Sequence, residues 1–495
     1  MVDARPSQTM TLRPESPGSA GASGRRKARR GGEKPGWVPA SNRRGPQETG
    51  TPGQARPSVA RPVLLPLAGL LVAGGGVWIL VLSFTSVTGV TLHAPGGMMT
   101  LLGTATGLIG TYLALVMVVL ASRIAPIERL LGLDGMLRWH RRLAPWPITL
   151  IVLHVVLTTI GYAEAASKGF GSEFGALVFD YPDVLAATVG FFLMCAIGVA
   201  SYRAIRVRLR RETWWALHLY IYVALALSFA HALVIGPTFV GHPITRAIWI
   251  VLWLGALGLI VIYRLGIPLV RSMRMQLRVA DVRKEAPGVV SVVLQGRNLH
   301  RLPVAGGQFA LWRFITPGLW WQAHPYTLSA LPHPPYLRIT VKALGDHSTA
   351  LAKIKRGTRV LFEGPYGVFT HETSDHSPVA LIGAGIGVTS VRSLLEDLPK
   401  GTSPAVVLRA SSDADTALHK EVADLVAHQK GTLHEILGNR GKVRLDGKAL
   451  LRLVPDLRQR DVYVCGPEEF VGSMMSVCRG LGVPSSALHH EAYAL

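Results

Sequence analysis

Two apolar stretches of this chain each carry a pair of histidines, and an ionisable side chain inside a lipid-spanning helix is costly unless it faces the bundle interior and has a partner. The first stretch reads RWHRRLAPWPITLIVLHVVLTTIGY and holds His140 and His154; the second reads WWALHLYIYVALALSFAHALVIG and holds His218 and His231. Each has about 20 mostly aliphatic residues, enough for a helix to cross a hydrocarbon layer of roughly 30 Å. Neutral imidazole ligates iron, and haem iron accepts two axial nitrogens. The step from His140 to His154 covers about 21 Å and returns to within about 40° of the same helix face. On an ideal helix the step from His218 to His231 lands about 140° away, so that pair needs a π-bulge, a tighter turn or a tilt to align. Four packed or hydrogen-bonded core histidines are the competing account, and two pairs at nearly matched depth favour ligation. His93, His242 and His300 read as ordinary histidines that ligate nothing.

Further apolar runs place these two stretches in a larger bundle. Runs at about 63–83, 100–122, 143–163, 183–202, 213–236 and 244–266 meet the length criterion for spans. A hydrophobic share of 49% and a mean hydropathy of +0.32 agree with a membrane protein. The net charge of +22 would suit nucleic acid, but much of it lies beside the spans, so no nucleic-acid partner is expected. Arg123, Arg129, Arg138, Arg141 and Arg142 follow the second run, and Arg203, Arg206, Arg208, Arg210 and Arg211 follow the fourth. The alternate loops lack such clusters. The positive-inside rule then puts both termini in the cytoplasm of a multi-pass protein of the cell membrane. Residues 1–62 hold 12 Arg or Lys against 4 Asp or Glu and read as a disordered basic tail, solvated or touching anionic lipid. No signal peptide is evident ahead of the first run. Trp139, Trp146, Trp214 and Trp215 lie near span ends and read as an interfacial belt. The three cysteines, Cys195, Cys465 and Cys478, form neither a metal motif nor a disulfide framework.

Past about residue 272 the pattern shortens. MQLRVADV, VVSVVLQG, QFALWRF, YLRITVKAL and TRVLFEGP read as strands of a small antiparallel barrel over 272–376. From 377 to 495 apolar strands alternate with helices as in a parallel α/β domain, ending on DVYVCGP and a final helix. Gly383, Gly385 and Gly387 form GAGIG between a strand and a helix, where backbone amides cradle a pyrophosphate, although a glycine turn closing a strand has the same look. Upstream, HPYTLS offers an aromatic ring beside hydroxyls, a combination that packs on and hydrogen-bonds to a flavin ring but also occurs at ordinary strand edges. Arg409, Ser411 and Ser412 follow the second strand of the α/β domain, where a cation and hydroxyls can hold a 2′-phosphate. That arrangement favours NADPH, and the nearby Asp413 and Asp415 leave NADH open.

Taken in order, paired histidines on spans, HPYTLS, GDHSTAL, EGPYG, GAGIGVTS, VCGP and the terminal HHEAY resemble the ferric reductase and NADPH oxidase superfamily over about 63–495. The resemblance implies a six-helix transmembrane haem domain over 63–271, then an FAD-binding β-barrel and an NAD(P)-binding α/β domain. It implies that His324, Pro325, Tyr326, Thr327 and Ser329 contact the flavin and that His347, Ser348 and Thr349 lie by its phosphates. Gly383, Gly385, Gly387 and Thr389 would hold the nicotinamide dinucleotide. Cys465 and Gly466 would lie near the nicotinamide, with Glu491 and Tyr493 bordering the flavin. One departure is Ser390, where many relatives have proline.

The expected chemistry is electron transfer from cytosolic NADPH through FAD and two b-type haems to a small-molecule acceptor outside. A ferric chelate is the favoured acceptor because the outer loops are short and offer no evident metal-binding cluster. Reduction of O2 to superoxide or peroxide is the second reading. The third, from another class, is a partner-binding or transport bundle with a degenerate reductase attached. No protein partner is legible.

Overall fold

The structure is a computed structural model that describes residues 61–85, 92–371, 378–410, 412, 416–438 and 445–493. Residues 1–60 of the expected basic tail, Ser411, Asp413 and Asp415 lie outside the described residues. Six helices are long and apolar enough to cross a membrane: Pro66–Phe84, Gly97–Ala121, Gly135–Ala166, Val184–Ser201, Glu212–Ile235 and Pro243–Met275. The chain is a multi-pass membrane protein.

Glycine decides how the bundle packs. A Cβ on Gly107 would lie 2.6 Å from Nδ1 of His154, and one on Gly103 would lie 2.5 Å from Oγ1 of Thr158. The second and third spans therefore touch backbone to side chain, as small residues permit in apolar surroundings. Leu115, Phe239, Trp249 and Trp253 fill the interior beside them.

Three departures from straight spans matter. The fifth span is two helices, Arg211–Leu219 and Ile221–Ile235, joined at Tyr220, whose N–H donates to the carbonyl of Leu217 at 3.1 Å. This three-residue closure overwinds the helix and turns His231 back toward the face of His218. The sixth span contains a π-helical turn, Val261–Gly266, before it runs on to Met275. Between the third and fourth spans, in a stretch read above as a loop, the helix Phe170–Asp180 forms and buries Leu177 and Val178.

The soluble half begins with six strands: β1 (Arg278–Ala286), β2 (Val289–Gln295), β3 (Phe309–Phe314), β4 (His324–Thr327), β5 (Tyr336–Lys342) and β6 (Val360–Tyr366). They form two antiparallel sheets, β1-β2-β5 and β4-β3-β6. Bridges Arg278 to Arg359 and Leu328 to Ile339 join the sheet edges and close a barrel around Trp312, Phe314, Leu277 and Ile339.

Next come β7 (Val379–Ala384), β8 (Ala405–Ala410), β9 (Thr432–Leu437), β10 (Asp461–Pro467) and β11 (Leu488–Tyr493). All pair in parallel, in the order β11-β10-β7-β8-β9. The strand β11 corrects the expectation that a helix ends the domain: its polar sequence LHHEAY becomes a strand by pairing with β10.

The two soluble domains share a buried ion network. Arg338 on β5 donates two hydrogen bonds, at 2.7 and 2.8 Å, to the carboxylate of Glu421 on the helix His419–His428. Arg392, on the helix Val388–Asp397, adds a third at 2.9 Å. Both guanidiniums are almost fully buried, and together they hold the Glu421 carboxyl below its usual range against the opposing effect of burial. Glu421→Ala would take from buried Arg338 the carboxylate that balances it and leave Arg392 with Glu396 alone. Thermal or denaturant unfolding of the full chain in detergent should show a loss of about 3–5 kcal/mol for this change.

Candidate functional site

The four membrane histidines meet in two pairs. His140 faces His218 and His154 faces His231, each with ring centroids 6.2 Å apart and ring planes crossed at 67° and 62°. An imidazole nitrogen lies about 1.1 Å from its ring centre and metal–imidazole bonds are about 2 Å, so two rings sharing one metal stand about 6.2 Å apart. Both pairs leave that room.

The Nδ1 atoms are mostly engaged. Nδ1 of His154 lies 2.7 Å from the carbonyl of Gly103, and Nδ1 of His140 lies 3.4 Å from that of Met117. Nδ1 of His218 lies 3.4 Å from Oγ of Ser201, while Nδ1 of His231 is buried with no protein partner. Such acceptors select the tautomer with Nε2 free to ligate. Among the described residues no three His, Cys, Asp or Glu side chains form a metal-binding group. A metal held here by only two protein ligands needs its remaining positions filled from elsewhere, as a porphyrin fills them. A largely apolar cavity of about 190 Å³ adjoins the second pair, lined by His154, Thr158, Ser228, His231, Phe239 and Trp249.

At one end of the barrel, His324 stacks on His347 with centroids 3.7 Å apart, and Nδ1 of His347 lies 2.9 Å from the hydroxyl of Tyr326. Nε2 of His347 is buried without a protein partner. His347 also lines a cavity of about 720 Å³ between the barrel and residues Arg210, Glu212 and Thr213 of the membrane half. Burial, and then the neighbouring His324, push the pKa of His347 down to about 4, so it is neutral near pH 7. When Tyr326 donates to Nδ1, Nε2–H is left as a buried donor without a protein acceptor.

A second cluster joins the barrel to the parallel sheet. Oγ of Ser390 donates to Glu491 at 3.1 Å and lies 2.6 Å from the hydroxyl of Tyr493, which in turn lies 2.8 Å from Oγ1 of Thr327. Cys465 is fully buried beside them, directly between Gly383 and Glu491 across three adjacent strands. Burial first, and then the Glu491 carboxylate, push its thiol up, so it stays protonated. Gly385 takes a φ of 55°, and a Cβ on Gly387 would lie 2.5 Å from the carbonyl of Cys465. The glycine loop thus closes directly onto VCGP, and the helix Val388–Asp397 starts there with Thr389 donating to the carbonyl of Ile386 at 2.8 Å.

Comparison with known proteins matches residues 106–229 to a family described as "Ferric reductase like transmembrane component" and residues 274–370 to "FAD-binding domain". The chain thus has a segment similar to a ferric reductase-like transmembrane component followed by one similar to an FAD-binding domain. The first match holds His140, His154 and His218, and His231 lies just past its end. A relative named "NADPH oxidoreductase" from Mycobacterium tuberculosis (strain ATCC 25618 / H37Rv) is 28% identical over 46% of this chain and 62% of its own length. "Dual oxidase 1" of Rattus norvegicus is 27% identical over 55% of this chain and 18% of its own length. The first curated relatives are thus matched over 62% of their length or less. Among solved structures, the FAD/NAD-binding domain of a nitric oxide dioxygenase from Vibrio cholerae O1 biovar El Tor aligns with 23% identity and a TM-score of 0.39, covering 44% of this chain and 98% of that one.

The expected residues fall into several groups. The four histidines meet as His140 with His218 and His154 with His231, although the 13-residue step from His218 to His231 would not align on an ideal helix. His324, Tyr326 and His347 gather at the large cavity, and exposed Pro325 lies between the first two. Thr327, Cys465, Glu491 and Tyr493 form the second cluster, with Gly466 at its edge in a φ of 155°.

Others lie apart. Ser329 is completely buried, with Arg338 donating to its hydroxyl at 3.1 Å and Thr340 bonded to it at 2.8 Å, so it serves the barrel interior. Oγ of Ser348 accepts from the amides of Leu344 and Gly345 and so caps its own turn, while Thr349 is exposed. Arg409 is buried at the end of β8, with its guanidinium 3.5 Å from the carbonyl of Gly438. Trp214 corrects the interfacial-belt reading. It stacks at 5.0 Å on His218, one turn along the same helix, and donates to Oγ of Ser201 on the fourth span at 3.2 Å. Residue type alone did not single out Ser390 or Ser201 as participants, although Ser390 had already stood out as a departure from proline.

Two measurements follow from this geometry. Gly107→Val should displace the His154 ring; with one haem on each histidine pair, the purified protein would then lose about half of its haem absorbance while flavin extraction stays normal. Between pH 6.5 and about 4 the unfolded chain protonates at His347 and the folded chain does not, so stability falls as pH drops through that window. Melting at pH 7 and pH 5 should differ by about 1–2 kcal/mol less in His347→Gln than in the parent, after allowance for solvent screening.

Proposed function

We propose that this chain is a transmembrane oxidoreductase that takes electrons from cytosolic NADPH and delivers them to an acceptor on the outer face of the cell membrane. The observation that carries this reading is the identical 6.2 Å spacing of two histidine pairs on the third and fifth spans. Bound FAD would supply hydride acceptance and one-electron release, and two b-type haems would supply electron carriage across the bilayer.

The chain's own part is placement. His140 with His218 would hold the inner haem, and His154 with His231 the outer one. The carbonyls of Met117 and Gly103 and the hydroxyl of Ser201 keep the rings in the ligating tautomer. His324, Tyr326 and His347 would border the flavin and its phosphates. The GAGIG turn would hold the dinucleotide of NADPH, and Thr327, Ser390, Glu491 and Tyr493 would fix the nicotinamide against the flavin by hydrogen bonds. Protonated Cys465 would fill the wall behind it. The arginine clusters after the second and fourth spans support a cytosolic soluble half and cytosolic termini.

A ferric chelate is the favoured acceptor. Among the described residues the outer segments offer no three-ligand group to bind a bare ion, so iron would arrive already chelated. Reduction of O2 is the second reading, favoured by the small apolar cavity of about 190 Å³ beside His154 and His231.

The test uses the purified full chain. Dithionite-reduced minus oxidised spectra should report two b-type haems, and extraction should release flavin. If neither appears, the bundle is a partner-binding or transport module and the proposal is lost. NADPH-driven reduction of a ferric chelate under nitrogen, set against superoxide formation in air, separates the two acceptors. His154→Ala should keep flavin reduction and abolish delivery to the outer acceptor; delivery that survives the change contradicts the route.

A further inference from the structure

The barrel meets the membrane bundle at a carboxylate held between two arginines from different spans. Oε1 of Glu363, on β6, accepts from Nη1 of Arg123 at 3.0 Å and from the hydroxyl of Tyr366 at 2.7 Å, and lies 3.6 Å from Nη1 of Arg264. The Arg123 guanidinium also sits 5.7 Å from the Tyr366 ring centre. Around this centre the two halves exchange further bonds. Arg271 donates to the carbonyl of Gly364, Gly367 N–H donates to Oε1 of Glu128 at 2.9 Å, and Phe362 N–H donates to Oγ of Ser272 at 3.4 Å.

The backbone is irregular at this junction on both sides. Arg123 closes the second span in the left-handed region at a φ of 56°, an uncommon conformation for a residue with a Cβ. Arg264 lies in the π-helical turn of the sixth span, an irregularity that recurs at functional sites. On the barrel side, Gly364 and Gly367 have φ values of 137° and 108°. A bundle rim rich in arginine supplies the cations, and Glu363 is the carboxylate they share. The second span that ends in Arg123 also presents the carbonyls of Met117 and Gly103 to His140 and His154. The same helix therefore grips the barrel at one end and orients a histidine of each pair along its length.

We propose that Glu363 is a positioning residue, a charged latch that holds the barrel in register on the bundle so that electrons cross from the soluble half to the inner histidine pair. This inference rests on the electron path proposed above. The latch acts after NADPH oxidation: its carboxylate is bonded to Arg123 and Tyr366 at the junction.

The experiment compares the full chain with Glu363→Gln, which keeps the shape and removes the charge. Two readouts are followed: stopped-flow absorbance of flavin and haem after NADPH, and hydrogen exchange at the Gly367 and Phe362 amides. Flavin bleaching should keep its rate, haem reduction should slow by roughly tenfold or more, and both amides should exchange faster. Parental haem reduction with unchanged exchange overturns the proposal. If Glu363→Gln fails to retain flavin or haem, Arg123→Gln, which leaves the carboxylate one cation, decides by the same two readouts and the same criteria. If the parent itself bleaches flavin without reducing haem, or holds no haem, the electron path fails. The exchange data then judge the latch alone: faster exchange in Glu363→Gln upholds its docking role, and unchanged exchange overturns it.

Discussion

Close approach of the second and third spans at Gly103 and Gly107 is the constraint on which the membrane half depends. A side chain at Gly107 would occupy the place of the His154 ring, so the histidine is seated by a gap in the neighbouring helix. The Gly103 carbonyl then accepts at 2.7 Å from that ring, which sets both its position and its tautomer. On the other side of the bundle the tight turn at Tyr220 rotates the second half of the fifth span, and His231 comes to face His154. Two local devices, a missing side chain and an overwound turn, thus bring four imidazoles from two helices into two matched pairs.

In the soluble half, charge and hydroxyl networks tie one domain to the next. Arg338, Arg392 and Glu421 form a buried ion triad between barrel and parallel sheet, where the desolvation of each guanidinium is offset by a shared carboxylate. A few ångströms of geometry then matter at the cluster of Thr327, Ser390, Glu491 and Tyr493, which takes one residue from the barrel and the rest from the sheet domain. The thiol of Cys465 stays protonated in that setting, so the cluster positions groups and supplies no thiolate nucleophile.

Much of the architecture was legible from residue order because it rests on strong local signals. Spans announce themselves by length and hydropathy, and five of the six barrel strands and four of the five parallel strands appear as short apolar runs between glycines and charges. The terminal LHHEAY did not read as a strand, since its identity comes from pairing with β10 rather than from its own pattern. The helix Phe170–Asp180 was hidden in the same way, its apolar run being too short to mark a span. Trp214 looked like one more tryptophan at a membrane boundary; it stands one turn before His218 on the same helix and stacks on it, while its bond to Ser201 of the fourth span comes from packing.

By itself the sequence determined that two apolar helices would each carry two imidazoles about 20 Å apart, that a barrel and a parallel sheet would follow, and that glycines would join a strand to the next helix. Those features depend on spacing along one chain and on the intrinsic preferences of each residue. Tertiary structure decided which imidazoles face each other, that Ser329 and Arg409 turn into the interior, that Ser390 sits among the hydroxyls, and that Glu363 meets Arg123 from 240 residues away. These are distances between atoms remote in sequence, and they exist only once packing has chosen how each helix is rotated and which strand lies beside which.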